Sequence, residues 1–149
     1  MTYVETETAI PSEVVSTVLT HLKNGEIQDA VAYFAEKFEF NDCGIGLEFK
    51  NRALLADFFQ KTRDLYPDSS LQTHTILVSF DYVVTEWTLR YTLTEPFYGG
   101  FSRKVPISLH GASIVQIKNG RITDWSDYYD GLTSRRTALA AHFDDWVEL

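Results

Sequence analysis

Asn119-Gly120-Arg121-Ile122-Thr123-Asp124-Trp125-Ser126-Asp127-Tyr128-Tyr129-Asp130 opens on a dipeptide suited to a two-residue β-hairpin turn and continues in strand-like alternation. The strand it starts, about residues 121–130, therefore folds back on the one before the turn, about 104–118. In that earlier strand the odd positions hold Val105, Ile107, Leu109, Gly111, Val115 and Ile117, and the even ones include Ser108, His110, Gln116 and Lys118. The odd side chains are thus the buried ones. With the hairpin in register, the odd face of the last strand holds Trp125, Asp127 and Tyr129, which places a carboxylate between aromatic rings in the interior.

Working upstream, Val83, Thr85, Trp87, Leu89, Tyr91 and Leu93 form the apolar side of a strand at about 82–95, with Glu86, Thr88, Arg90, Thr92 and Thr94 opposite. Another strand spans about 71–80. Before Pro67-Asp68-Ser69 the period becomes helical. Val14, Val15, Val18, Leu19 and Leu22 mark a helix over 13–24, capped by Ser12 and stopped by Asn24-Gly25. Ile27, Ala30, Val31 and Phe34 mark a second over 26–35, and Asn51 caps a third over 51–65 with Leu54, Leu55, Phe58, Phe59 and Leu65. A strand at 38–42 and a Cys43-Gly44-Ile45-Gly46 turn lie between them. Leu139, Ala140, Phe143 and Trp146 suggest a closing helix over 132–147 that folds back over the opening. Helices first and antiparallel strands after them predict one α+β domain over 1–149, with helices covering one face of a strongly curved sheet.

Composition removes several function classes. Thirteen Lys and Arg stand against 21 Asp and Glu, a formal charge of −8, so no basic patch is expected for nucleic acid. Cys43 is the only cysteine, which excludes an internal disulfide and cysteine-rich zinc sites. The beginning of the chain lacks a basic start and an apolar run, and no stretch reaches the roughly 20 apolar residues of a membrane span; a cytoplasmic protein is expected. Glycine-rich phosphate loops, HExxH and GxSxG are absent from the sequence. Three Trp, eight Tyr and ten Phe are many for 149 residues and suit a wide apolar pocket.

Asp127 is the first catalytic candidate, because desolvation raises a carboxyl pKa toward the range useful for proton transfer. Its alternative role is to accept bonds from a Tyr, a Trp or backbone amides and order the core. Asp42 shares a face with Phe38 and Phe40 and is the second candidate; two carboxylates in one apolar site push their pKa values apart. Its alternative is a turn-forming Asn-Asp ahead of Gly44. Trp87, Leu89, Tyr91, Leu109, Trp125 and Tyr129, with Tyr33 from the second helix and Phe40, are the expected pocket lining. His110 falls on the outer face with Ser108 and Gln116, and His21, His74 and His142 show no metal-site spacing, so no metal is expected. Tyr98-Gly99-Gly100-Phe101 reads as a hairpin tip that folds over a ligand or meets a second copy. The even face, with Thr88, Arg90, Thr92, Ser108, Ala112 and Ile114, is only half polar, which points to a homodimer through the outer sheet face.

The stretch Asn119–Asp130, together with Tyr33-Phe34-Ala35-Glu36 and Val84-Thr85-Glu86-Trp87-Thr88, resembles the nuclear transport factor 2-like superfamily, especially its SnoaL-like polyketide cyclase and limonene-epoxide hydrolase branches. The likeness covers nearly the whole chain, is more specific for fold than for reaction, and implies an α+β fold with a cone-shaped, strongly curved mixed or antiparallel sheet whose concave face is covered by three helices. It implies that Asp127 falls where the epoxide hydrolases place the aspartate that activates water. Where those enzymes have an Arg and a second Asp, this chain has Trp87 and Leu89, and where they have a Tyr and an Asn it has Phe40 and Asp42. The cyclase branch implies one acidic residue in an apolar cavity; its histidine has only His110 as a counterpart, on the wrong face.

These readings lead to one expectation. A small apolar organic molecule binds in a cone-shaped pocket and undergoes isomerisation or cyclisation by acid–base chemistry, without cofactor or metal. A ligand-binding or dimerisation module without chemistry is the alternative, and an epoxide-hydrolase-like hydrolase is the third reading.

Overall fold

Pro11 starts the first helix, α1 (Pro11–Asn24), because the N–H it lacks is one that a first helical turn leaves unpaired. A computed structural model describes residues 10–96, 102–134 and 137. The N-cap is Ile10 without a side-chain bond, so Ser12 lies inside the helix rather than capping it. The helix stops where Gly25 turns left-handed, φ 75°, and the Glu26 amide reaches the His21 carbonyl at 2.9 Å.

The second helix, α2 (Ile27–Val31), is much shorter than the sequence suggested. Phe34 is needed elsewhere: β1 (Phe34–Asp42) runs parallel to β6 (Arg121–Tyr129), from Phe34 beside Ile122 to Asp42 beside Asp127. Phe34, Phe38 and Phe40 then all turn into the core. The Cys43–Gly46 segment closes a hairpin to a short β2 (Leu47–Phe49), where the sequence showed only a turn. Asn51 caps α3 (Arg52–Leu65) as expected, its side chain accepting from the Leu54 amide at 3.1 Å. Leu54 and Leu65 nevertheless point outward; Leu55, Phe58 and Phe59 make the packed stripe.

Three long strands complete the sheet: β3 (Ser70–Ser79), β4 (Tyr82–Pro96) and β5 (Ser102–Lys118). The order β2-β1-β6-β5-β4-β3 is antiparallel except between β1 and β6, so the α+β domain has a six-stranded mixed sheet with its helices on one side. Val14, Val15, Val18 and Leu55 from those helices bury Phe34, Phe40, Val83, Val115 and Trp125 on the sheet's inner face. Trp87, Val105, Ile107 and Leu109 are also buried but lie beyond this cluster, toward the other end of the long strands. Among the described residues no helix is long and apolar enough to cross a membrane. The Tyr98–Phe101 tip and nearly all of the expected helix over 132–147 lie outside the described residues; Thr133, Ser134 and Thr137 are helical.

The β5–β6 hairpin does not hold a simple register. Ile117 faces Ile122 but Gln116 faces Asp124, leaving Thr123 as an extra residue. Without that bulge the pairing would set Val115 against Asp124 and Ser113 against Ser126, and Asp127 would point outward. With it, Ile122 and Trp125 both turn inward, and Asp127 follows opposite Ser113. The inward Asp127 expected from parity is therefore observed, for a reason parity alone did not contain.

One inner polar atom is orphaned. The Thr85 hydroxyl is buried and, among the described residues, has no hydrogen-bond partner. Replacing such a group by an apolar one of the same shape removes a desolvation penalty of about 1–3 kcal/mol. Thr85→Val is accordingly expected to raise the thermal midpoint by a few degrees; a lower midpoint in a calorimetric scan would show that the hydroxyl is bonded in solution.

Candidate functional site

Across the inner face, β-pairing lines up Ile76, Thr85, Ser113, Asp127 and Asp42 in one row. The row on the helix-covered side is Val83, Val115, Trp125 and Phe40, and the row beyond is Trp87, Gly111 and Tyr129. The carboxylates thus sit at the border between solid core and the end of the sheet that the described helices leave uncovered.

Asp127 is held by two donors on one oxygen. Its Oδ1 accepts from Ser113 Oγ at 2.5 Å and from Trp125 Nε1 at 2.7 Å, and Ser113 Oγ in turn accepts from Trp87 Nε1 at 2.9 Å. Among the described residues no hydrogen bond reaches Oδ2. Burial pushes the Asp127 carboxyl up to about 6; the Ser113 and Trp125 bonds oppose that rise and the nearby Asp42 charge adds to it.

Asp42 is buried and engaged differently. Its Oδ1 accepts from the amides of Gly44 at 3.1 Å and Ile45 at 3.2 Å, which closes the β1–β2 turn. The Tyr129 phenol also donates to Asp42, and burial together with that carboxylate drives the phenol far above its ordinary range. Tyr129 is therefore a neutral donor at any ordinary pH.

Two glycines admit the flanking rings. A Cβ on Gly44 would lie 2.2 Å from the Tyr129 ring, and one on Gly111 would lie 2.4 Å from the Trp87 ring. Trp87 and Tyr129 approach each other with ring centroids 6.0 Å apart. Tyr91 packs on Tyr66 with ring centroids 4.4 Å apart and tilted planes, and it bonds Ser134, while Leu89 and Leu109 extend the apolar wall along β4 and β5.

The structure does not bring every expected lining residue here. Tyr33 lies past the short α2, its carbonyl bonded to the Ile122 amide and its ring 6.2 Å from that of His21, at the opposite end of β6 from Asp127. Phe40 is packed solid among Phe34, Phe49, Phe58, Phe59 and Trp125. His110 stands on the outer face, where its Nδ1 and His74 Nε2 both meet the buried Thr88 hydroxyl, at 2.9 and 2.7 Å. His21, Glu26 and Asp29 bring ligand atoms within 4.8 Å of one another at the end of α1, but His21 already pairs with Glu26 at 3.2 Å.

Sequence reading missed Ser113. The signal was present: it is the one hydroxyl on the buried odd face of β5 between Gly111 and Val115, directly opposite Asp127.

No curated protein sequence matches the chain. Among solved structures it is similar to a Shewanella denitrificans protein described as a SnoaL-like polyketide cyclase, with TM-score 0.74 and 13% identity over 89% of this chain and 98% of that one. It is similar as well to IdmH of Streptomyces antibioticus, described as a polyketide cyclase, with TM-score 0.73 and 18% identity over 86% and 97%. An LEH-like epoxide hydrolase of M. tuberculosis follows, with TM-score 0.69 and 19% identity over 89% and 87%. At such identities these likenesses show the fold alone. The family model for SnoaL-like polyketide cyclases, however, matches residues 12–137, and on that match the chain belongs to the SnoaL-like polyketide cyclase family.

Proposed function

We propose that this chain binds a small, largely apolar organic molecule at the end of the sheet beyond the described helices and acts on it by general acid–base catalysis, as an isomerase or cyclase. The observation that carries the reading is a carboxyl raised to about 6 with one oxygen tied down and the other, among the described residues, without a hydrogen-bond partner. Such a group both takes and returns a proton near neutrality. Trp87, Leu89, Tyr91, Leu109, Trp125 and Tyr129 form the apolar surroundings, and Asp42 supports the site by holding Tyr129 and by keeping negative charge near Asp127. The epoxide-hydrolase reading has less support, because the resemblance sets Trp87 and Leu89 where those enzymes have an Arg and an Asp.

A homodimer through the outer sheet face accompanies this reading. Leu77, Tyr82, Ile114 and Tyr128 are exposed there, and Glu86 and Arg90 flank Thr88 on the same face, so two copies related by a two-fold axis would set unlike charges against each other. The non-catalytic module is the competing reading, and one measurement separates the two. Titration of the Asp127 side-chain carboxyl by NMR is expected to give a midpoint near 6; a midpoint at or below 4 favours binding without chemistry.

A further inference from the structure

The donor groups around Asp127 carry a direction. An indole N–H donates and never accepts, so Trp87 Nε1 occupies a lone pair of Ser113 Oγ, and the single Ser113 proton is turned toward Asp127. Trp125 Nε1 is likewise donor only and meets the same Oδ1. A carboxylate oxygen offers two lone pairs in the carboxyl plane. Both are filled on Oδ1.

We propose that Ser113 is a positioning residue which, with Trp87 behind it and Trp125 beside it, closes Oδ1 of Asp127 to protons and reserves Oδ2 for proton transfer. This rests on the acid–base reading above and extends it to the atom. A proton leaving a ligand then bonds to Oδ2, its former bonding pair stays on the ligand, and the same oxygen returns the proton when the rearranged ligand needs it. Because neither indole can accept, the chain cannot reverse, and protonation never has to break the bonds that orient the carboxyl. Gly111 belongs to the same device, since any side chain there would push the Trp87 ring off Ser113.

The experiment is a pH titration of the full chain, following the Asp127 carboxyl carbon and the Trp87 and Trp125 indole N–H resonances in wild type, Ser113→Ala, Ser113→Thr and Trp87→Phe. In wild type both indole signals are expected to move with the Asp127 midpoint and to stay protected from exchange on both sides of it. Ser113→Ala removes a donor to the charged form, so the midpoint rises by about half a unit or more, Trp87 stops following it and Trp125 continues. Ser113→Thr restores both behaviours. Trp87→Phe, which leaves the Ser113 bond in place, raises the midpoint less than Ser113→Ala does and serves if Ser113→Ala does not fold. An unmoved midpoint in Ser113→Ala, a Trp87 signal that still follows Asp127 there, or loss of Trp125 protection below the wild-type midpoint overturns the assignment. A wild-type midpoint near 4 overturns the acid–base reading instead, and the difference between wild type and Ser113→Ala decides the positioning role in either case.

Discussion

Asp127→Asn is expected to keep ligand affinity, lose about 10²–10⁴-fold in turnover, and melt higher than wild type at pH 8. The gain in stability follows from the raised pKa. A carboxyl at about 6 in the folded chain and near 4 in the unfolded one holds its proton natively across a window where the unfolded chain has released it. Stability contributed by this group is therefore present below about pH 4 and lost as pH rises through 6. Two units correspond to about 3 kcal/mol; with the carboxyl only partly shielded from water, about 2 kcal/mol is the expected gain, or about 4–8 °C in a chain of this size. Asn keeps an Oδ1 that accepts from Ser113 and Trp125 and has no charge to desolvate. The two melting curves should thus converge near pH 4 and separate toward pH 8. Equal midpoints at pH 8 would remove the case for a desolvated carboxylate.

Phe40→Ala is expected to be the most damaging single truncation, at about 3–5 kcal/mol and about 10 °C or more of melting temperature. Phe40 is fully buried, with ring centroids 5.4 Å from Phe59 and 6.3 Å from Trp125, and it joins the β1 side of the sheet to α3. Five aromatic neighbours on a sheet and a helix cannot all move to refill the space, so most of the cavity remains. A chemical-denaturation loss below about 1 kcal/mol would mean that the ring instead borders open space, as a pocket wall does.

That contrast shows where the sequence was readable. Strand parity is a period of two imposed by the backbone itself, so the inner faces of β4 and β5 could be read without any knowledge of their neighbours. Helix stripes were likewise readable in α1 and, for Leu55, Phe58 and Phe59 but not Leu54 and Leu65, in α3. The failures are places where a distant partner overruled a local pattern. Ile27 to Phe34 has good helical spacing, yet Phe34 is worth more beside Ile122 in a parallel ladder, and Tyr33 went with it. Phe40 and Trp87 are both aromatic residues on inner faces; what separates core from site is the placement of α3 over one and not the other. Asp42 was assigned two alternative roles, and the structure places it in a turn and beside Asp127 at once. Ser113 went unnoticed because a lone hydroxyl in an apolar row has meaning only once the opposite strand is known.

The extra residue at Thr123 also governs which changes of length the last hairpin can inherit. Loss of that one codon would straighten β6 and leave Val115 opposite Trp125 and Ser113 opposite Asp127, as now. Loss of the codon for Ser126, three positions on, would carry Asp127 and Tyr129 to the convex side. Two deletions of equal size and similar chemistry therefore have opposite fates, and in related chains a length difference at this hairpin is informative only when its position relative to Trp125 is known.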